Sequence, residues 1–164
     1  MIRLLARDAA ATRAIGARLA TALVESGVDA PLLIGLSGEL GAGKTTLVGG
    51  LLEALGHAGP ARSPTYSLLE PYRLGERDLH HCDLYRLRHP GELDELGLRD
   101  LMTRGSVLIV EWPERAGDRL RTPDLTLRLR YGGAGDGESA RIVELGASGD
   151  AGQAVLARLA VEPA

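Results

Sequence analysis

Apolar residues in this chain recur with two different periods, and the alternation between the two outlines an α/β protein. Met1–Ala6 reads as a short strand. From the N-cap candidate Asp8 to Ser26, Ile15, Leu19 and Leu23 recur every four residues, which predicts a helix that Gly27 ends. Pro31–Ser37 is a continuous apolar run of strand length, the pattern of a strand covered on both faces. After a glycine-rich turn, Leu47, Leu51 and Leu55, with Val48 and Leu52, mark one face of a second helix over about Thr45–Leu55, stopped by Gly56.

His57–Thr65 reads as loop. Ser67–Leu74 and Arg77–Leu84 are two strand patterns separated at Gly75, which predicts a hairpin. Helical spacing over Pro90–Met102 is interrupted at Gly97, and Ser106–Glu111 is a second buried strand. Trp112–Pro123 is expected as a connecting loop. Leu125–Tyr131 alternates apolar with polar residues, so one side faces water. It is expected to pair with Ala140–Leu145 across the glycine-rich turn Gly132–Gly137, and a last helix runs from Asp150 to Leu159. Together these elements predict one mixed α/β domain over residues 1–164, its sheet combining buried strands with antiparallel hairpins and flanked by helices.

Composition narrows the class. Apolar residues make up 45% and charged residues 25% of 164, which excludes disordered, collagen-like and coiled-coil chains. No apolar run approaches the roughly 20 residues that cross a bilayer, so no membrane association is expected. Arg3, Arg7 and Asp8 interrupt the N-terminal apolar stretch, which is unlike an export signal, and the single cysteine, Cys82, excludes an internal disulfide. Both point to a reducing cytoplasm. The net charge of −3 and the absence of Phe argue against a chain that grips nucleic acid over a broad surface.

Eighteen of the 19 basic residues are Arg; the exception is Lys44. A site that needs a compact ammonium on a flexible stem explains why one position kept Lys. Lys44 lies in Gly38-Glu39-Leu40-Gly41-Ala42-Gly43-Lys44-Thr45, which fits the phosphate-loop template at every fixed position, with an apolar strand before it and a helix after it. Gly41 and Gly43 permit a backbone that turns successive amides inward, and the helix start adds its positive dipole end. Lys44 is expected to reach the β- and γ-phosphates, and the Thr45 hydroxyl to ligate Mg²⁺. These features predict a P-loop NTPase-like domain.

Such a site needs acids near the metal and a means of placing water. Asp83 and Glu111 both leave the ends of strand patterns, where ligand sites of α/β sheets collect. Asp83 also fits a plain surface acid of a hairpin. Ser63-Pro64-Thr65-Tyr66 follows the second helix, where switch-type NTPases carry a γ-phosphate-sensing Thr, although a Ser-Pro turn would read the same. His80, His81 and Cys82 do not form a zinc site by themselves, since neighbours on a strand point to opposite faces. Trp112, the one Trp, packs either near the nucleotide or into the core.

With these motifs assembled, the chain resembles the TsaE (YjeE) family of ATPases of tRNA threonylcarbamoyladenosine biosynthesis. The resemblance covers roughly Asp8 to Leu145 and rests on residues 38–46, Ser63–Tyr66, His81-Cys82-Asp83-Leu84-Tyr85-Arg86 with Leu87, Gly91-Glu92-Leu93 with Gly97–Asp100, and Val110-Glu111-Trp112-Pro113. It implies a small P-loop ATPase that uses ATP and Mg²⁺ to support or reset a TsaD–TsaB threonylcarbamoyl transfer complex acting on adenosine 37 of tRNA, with tRNA met through that complex. Carried over by motif, Lys44, Thr65, Asp83 and Glu111 are the expected catalytic residues, and Thr45 and Glu111 the metal ligands. Leu40, Gly41, Ala42, Gly43, Lys44, Thr45 and Thr46 form the expected ATP-binding loop, joined by Trp112 and by Thr12 on the base or sugar side. Some relatives place an Arg near the nucleotide where this chain has Glu138, with Arg141 three residues on.

Two other functions share the loop. A small-molecule kinase would need an acceptor pocket and an Arg-bearing lid, and neither stands out. A nucleotide-gated binding module would hold ATP with little turnover. A GTPase switch would need Asn-Lys-x-Asp, and this chain has no Asn. Its motifs offer no obvious arginine finger, with Arg62 and Arg86 the candidates, so weak hydrolysis that rises with partner proteins is expected.

Overall fold

The computed structural model describes residues 1–61, 64, 68–74 and 77–161. Strand β1 (Ile2–Ala6) leads into helix α1 (Ala9–Glu25), whose first turn is capped by Asp8: its carboxylate accepts from the Ala11 amide at 2.7 Å. Strand β2 (Leu32–Gly38) and helix α2 (Lys44–Ala54) follow, then the hairpin β3 (Leu69–Leu74) and β4 (Arg77–Asp83). The interrupted helical stretch forms two single turns, α3 (Glu92–Glu95) and α4 (Leu98–Leu101), divided at Gly97, where φ is +59°. Strand β5 (Val107–Glu111), hairpin β6 (Leu125–Tyr131) and β7 (Arg141–Ala147), and helix α5 (Gly149–Val161) complete the order. The expected loop after β5 differs: Pro113–Arg119 winds into 3-10 turns, with proline at the position helices favour for it.

All seven strands form one sheet in the order β1-β7-β6-β2-β5-β4-β3. Its centre is parallel: β2 lies between β5 and β6, and β5 pairs with β4. The margins are antiparallel, through the β3–β4 and β6–β7 hairpins and the β1–β7 pair. Neighbours on the two sides of β2 are reached by separate paths, so the carboxyl end of β2 is a switch point of the topology, where α/β sheets form their ligand crevices.

On one face, Leu32, Ile34 and Leu36 of β2 pack with Val107, Ile109 and Leu127 under Leu19, Leu23, Leu47, Leu51 and Val155 of α1, α2 and α5. On the other, Leu33, Cys82, Leu108 and Val110 are covered by Leu93, Leu98 and Ala116. Helices α1 and α2 cross with backbone nearly in contact, because glycines stand at the crossing. A Cβ on Gly16 would lie 2.0 Å from the Leu47 carbonyl oxygen, and one on Gly50 would lie 2.0 Å from that of Arg13. This packing fixes the start of α2 against the end of β2.

Candidate active site

The loop between β2 and α2 turns on two residues whose backbone favours glycine. Gly41 has φ +78°, and Gly43, the N-cap of α2, has φ +100°. The first amides of α2 have no partner within the helix and face the crevice at the end of β2. Lys44, the first residue of α2, is only 5% exposed. Its Nζ donates to the carbonyl oxygens of Gly38 at 2.8 Å and Glu39 at 3.0 Å, and lies 4.2 Å from the centre of the Trp112 ring. Burial lowers the Lys44 pKa from the usual 10.5, and the carboxylates of Glu111, Asp83 and Glu114 oppose that shift.

Two carboxylates stand across from the ammonium. The parallel register of β4 and β5 sets Asp83 against Glu111 and His81 against Ile109. Alternation along β4 puts His81 and Asp83 on the same face. Glu111 is 2% exposed; its Oε1 accepts from the Thr45 hydroxyl at 3.3 Å and lies 2.9 Å from His81 Nε2. Asp83 Oδ1 accepts from the Tyr85 amide at 2.9 Å. The chain then turns sharply at Trp112 (φ +58°), whose amide donates to the Leu36 carbonyl at 3.1 Å and whose ring meets that of Tyr85 at 5.4 Å.

The phosphate loop separates two cavities. One, of about 460 Å³, is lined by Lys44, Thr45, Asp83, Arg86, Glu111 and Trp112. The other, of about 570 Å³, is lined by Asp8, Thr12, Thr46, Glu138, Ser139 and Arg141, and both reach Gly41 and Gly43. A single elongated ligand draped over the loop would occupy both.

Most of the sequence-predicted site residues therefore meet around this loop. Ala42 is fully buried and its amide donates to the Glu39 carbonyl at 3.1 Å, so its part is structural as well as positional. Leu40 is 67% exposed. Thr12 borders the second cavity, while its hydroxyl is bonded to the Asp8 carbonyl at 3.0 Å. Thr65, with Ser63, Tyr66 and Arg62, lies outside the described residues.

Sequence reasoning did not single out two contributors. His81 opens one of the motifs that carry the family resemblance and is excluded as a zinc ligand, but sequence reasoning gives it no role at the site, although its place two residues before Asp83 puts it on the site's face. Tyr131 ends β6; its hydroxyl donates to the Leu40 carbonyl at 2.9 Å. The Arg141 guanidinium lies 4.3 Å from the Tyr131 ring centre and donates to the Gly41 carbonyl at 3.4 Å. The β6–β7 hairpin thus grips the loop from outside, a long-range contact that no local pattern announces.

The donor set suits a hard divalent cation. The Thr45 hydroxyl and the carboxylates of Glu111 and Asp83 offer oxygen ligands, and magnesium takes few protein ligands beside water and phosphate. Among the described residues, no group of three His, Cys, Asp or Glu could cage a metal without such help.

A parallel-centred sheet, a glycine-bracketed loop and a lysine opposite paired carboxylates define a P-loop NTPase-like protein. Residues 6–140 match the family described as threonylcarbamoyl adenosine biosynthesis protein TsaE. The chain is 36% identical over 141 residues to the Haemophilus influenzae tRNA threonylcarbamoyladenosine biosynthesis protein TsaE, covering 86% of each chain. Its identity to the Streptomyces coelicolor protein of the same name is 44% over 121 residues, 71% of this chain and 77% of that one. The crystal structure of Bacillus subtilis YdiB superposes with a TM-score of 0.76, covering 97% of this chain and 93% of that one at 24% identity, so the two share a fold. This chain belongs to the TsaE family, whose members act in threonylcarbamoyladenosine biosynthesis on tRNA. Among the described residues, no helix is long and apolar enough to cross a membrane.

Proposed function

We propose that this chain is a Mg²⁺-dependent ATP hydrolase, weak alone, that supports or resets a TsaD–TsaB threonylcarbamoyl transfer complex during tRNA modification. The observation that carries the reading is the convergence of Lys44, Thr45 and Glu111 at the end of β2, with Asp83 beside them in register. The loop amides and the α2 start bind the polyphosphate, and Lys44 exchanges its bonds to the Gly38 and Glu39 carbonyls for phosphate oxygens. Thr45 and Glu111 would hold Mg²⁺, which when bound neutralises charge on the phosphates. Asp83, with one oxygen fixed by the Tyr85 amide, orients the attacking water. The nucleoside end lies in the second cavity, past Thr12 and Thr46.

Arg86 lines the same cavity as Lys44, and slow hydrolysis that a partner accelerates is the behaviour this reading expects. In that arrangement the protein acts in the cytoplasm, and tRNA is met through the complex. Multiple-turnover ATP hydrolysis, measured alone and with TsaD- and TsaB-type proteins added one at a time, tests the reading. Turnover is expected to rise with the partners, and equal turnover in every mixture contradicts it.

A further inference from the structure

Behind Glu111 stands a group that hydrolysis as described does not use. The His81 side chain is fully buried, and its Nε2 is 2.9 Å from Glu111 Oε1, the oxygen that also meets the Thr45 hydroxyl. The other ring nitrogen, Nδ1, is buried with no partner. A proton on Nδ1 alone would be a buried donor with nothing to bond, and would set the lone pairs of Nε2 and Oε1 against each other. The geometry therefore assigns the proton to Nε2, and the ring donates to the carboxylate.

The Thr45 hydroxyl and the His81 ring both meet Glu111 Oε1, so together they define where its carboxylate points. A glutamate at a strand end otherwise samples several rotamers. We propose that His81 is a positioning residue: its Nε2–H locks Glu111 onto the Thr45 side of the crevice and so sets the affinity for the divalent cation. An arginine in its place would hold the carboxylate but cancel the charge that a cation requires, whereas a singly protonated imidazole orients it and leaves that charge in place. The inference rests on the nucleotide and magnesium reading above.

The test uses the full chain and calorimetric titration of ADP, once with EDTA and once with magnesium. The variants are His81→Leu, which keeps bulk without a donor, and His81→Gln, whose amide N–H stands near the place of Nε2. In EDTA all three proteins are expected to bind ADP alike. The gain in affinity on adding magnesium is expected to survive in His81→Gln and to fall about 10-fold or more in His81→Leu, the range seen when outer-shell partners of metal ligands are removed.

A full magnesium gain in His81→Leu, or an equal loss in both variants, overturns the proposal. Should His81→Leu fail to melt cooperatively, His81→Asn replaces it, because the shorter amide reaches only the place of Nδ1. Retention in Gln with loss in Asn supports the role, and equal behaviour overturns it. An unmodified protein that binds no ADP in either buffer overturns the nucleotide reading as well, whereas magnesium-dependent binding with indifferent variants removes only His81.

Discussion

The Lys44 ammonium rests over the indole of Trp112, 4.2 Å from the ring centre, while bonded to two carbonyls of its own loop. On the proposed reading, a bound polyphosphate would displace those partners. Cation–π attraction of this kind contributes about 0.5–2 kcal/mol, less than the charge-assisted bonds a phosphate offers. Because the chain has one Trp, its fluorescence should report the exchange. Adding Mg–ATP is expected to change emission saturably, and Lys44→Ala to abolish the change. Unaltered emission at concentrations where binding is measured by another method would show that the indole and the ammonium are not coupled.

Glu111 and Asp83 are register neighbours with different surroundings. Glu111→Gln is expected to keep nucleotide binding in EDTA, to lose the gain in affinity that magnesium brings, and to reduce hydrolysis by about 100-fold or more, since loss of an outer-shell partner alone reaches that scale. Asp83→Asn should act in the same direction, as expected for a lost water-orienting base. Binding assays beside turnover assays check both, and unchanged turnover in Glu111→Gln removes Glu111 from the site.

The loop, its lysine and the flanking strand and helix were legible from residues 31–55 alone, because a buried parallel strand and a helix face are local patterns. Both acids were legible as strand ends. The pairing of His81 with Glu111 was not, since it requires the parallel register of two strands separated by 30 residues in the chain. The grip of Tyr131 and Arg141 on the loop was hidden for the same reason: it spans some 90 to 100 residues of sequence. Trp112–Pro123 reads as loop because it carries both Pro113 and Pro123, yet Pro113 stands at the start of a tight 3-10 winding over Pro113–Arg119, where proline is tolerated.

Gly50 and Gly16 should be intolerant positions far from the chemistry. The Cβ of Gly50→Ala would meet backbone of Arg13 at 2.0 Å, and backbone cannot swing aside as a side chain does. Overpacking of this kind costs about 1–3 kcal/mol, sometimes more. For a chain of this size each kcal/mol lowers Tm by about 2–4 °C. A thermal melt of Gly50→Ala within about 1 °C of the unmodified protein would contradict the described helix crossing.

Cys82 offers a pH readout. Burial, helped by the neighbouring Asp83 charge, pushes its thiol up to about 12 from an ordinary value of 9.0. The unfolded chain therefore ionises first. Stability attached to this group is complete below pH 9.0 and declines between there and about 12, at about 1.4 kcal/mol per pH unit. The native protein should resist a thiol reagent at pH 8 and react only as it unfolds, as monitored by labelling across a denaturant series. Prompt labelling of the folded chain would contradict the buried position.

The most direct test of the central claim is calorimetric titration of Mg–ATP into the purified chain, with Lys44→Ala as the control. Saturable heat with one site per chain, lost in Lys44→Ala while the variant still melts cooperatively, is the expected result. A folded protein that gives no heat, or a Lys44→Ala variant that binds as well as the unmodified chain, contradicts it.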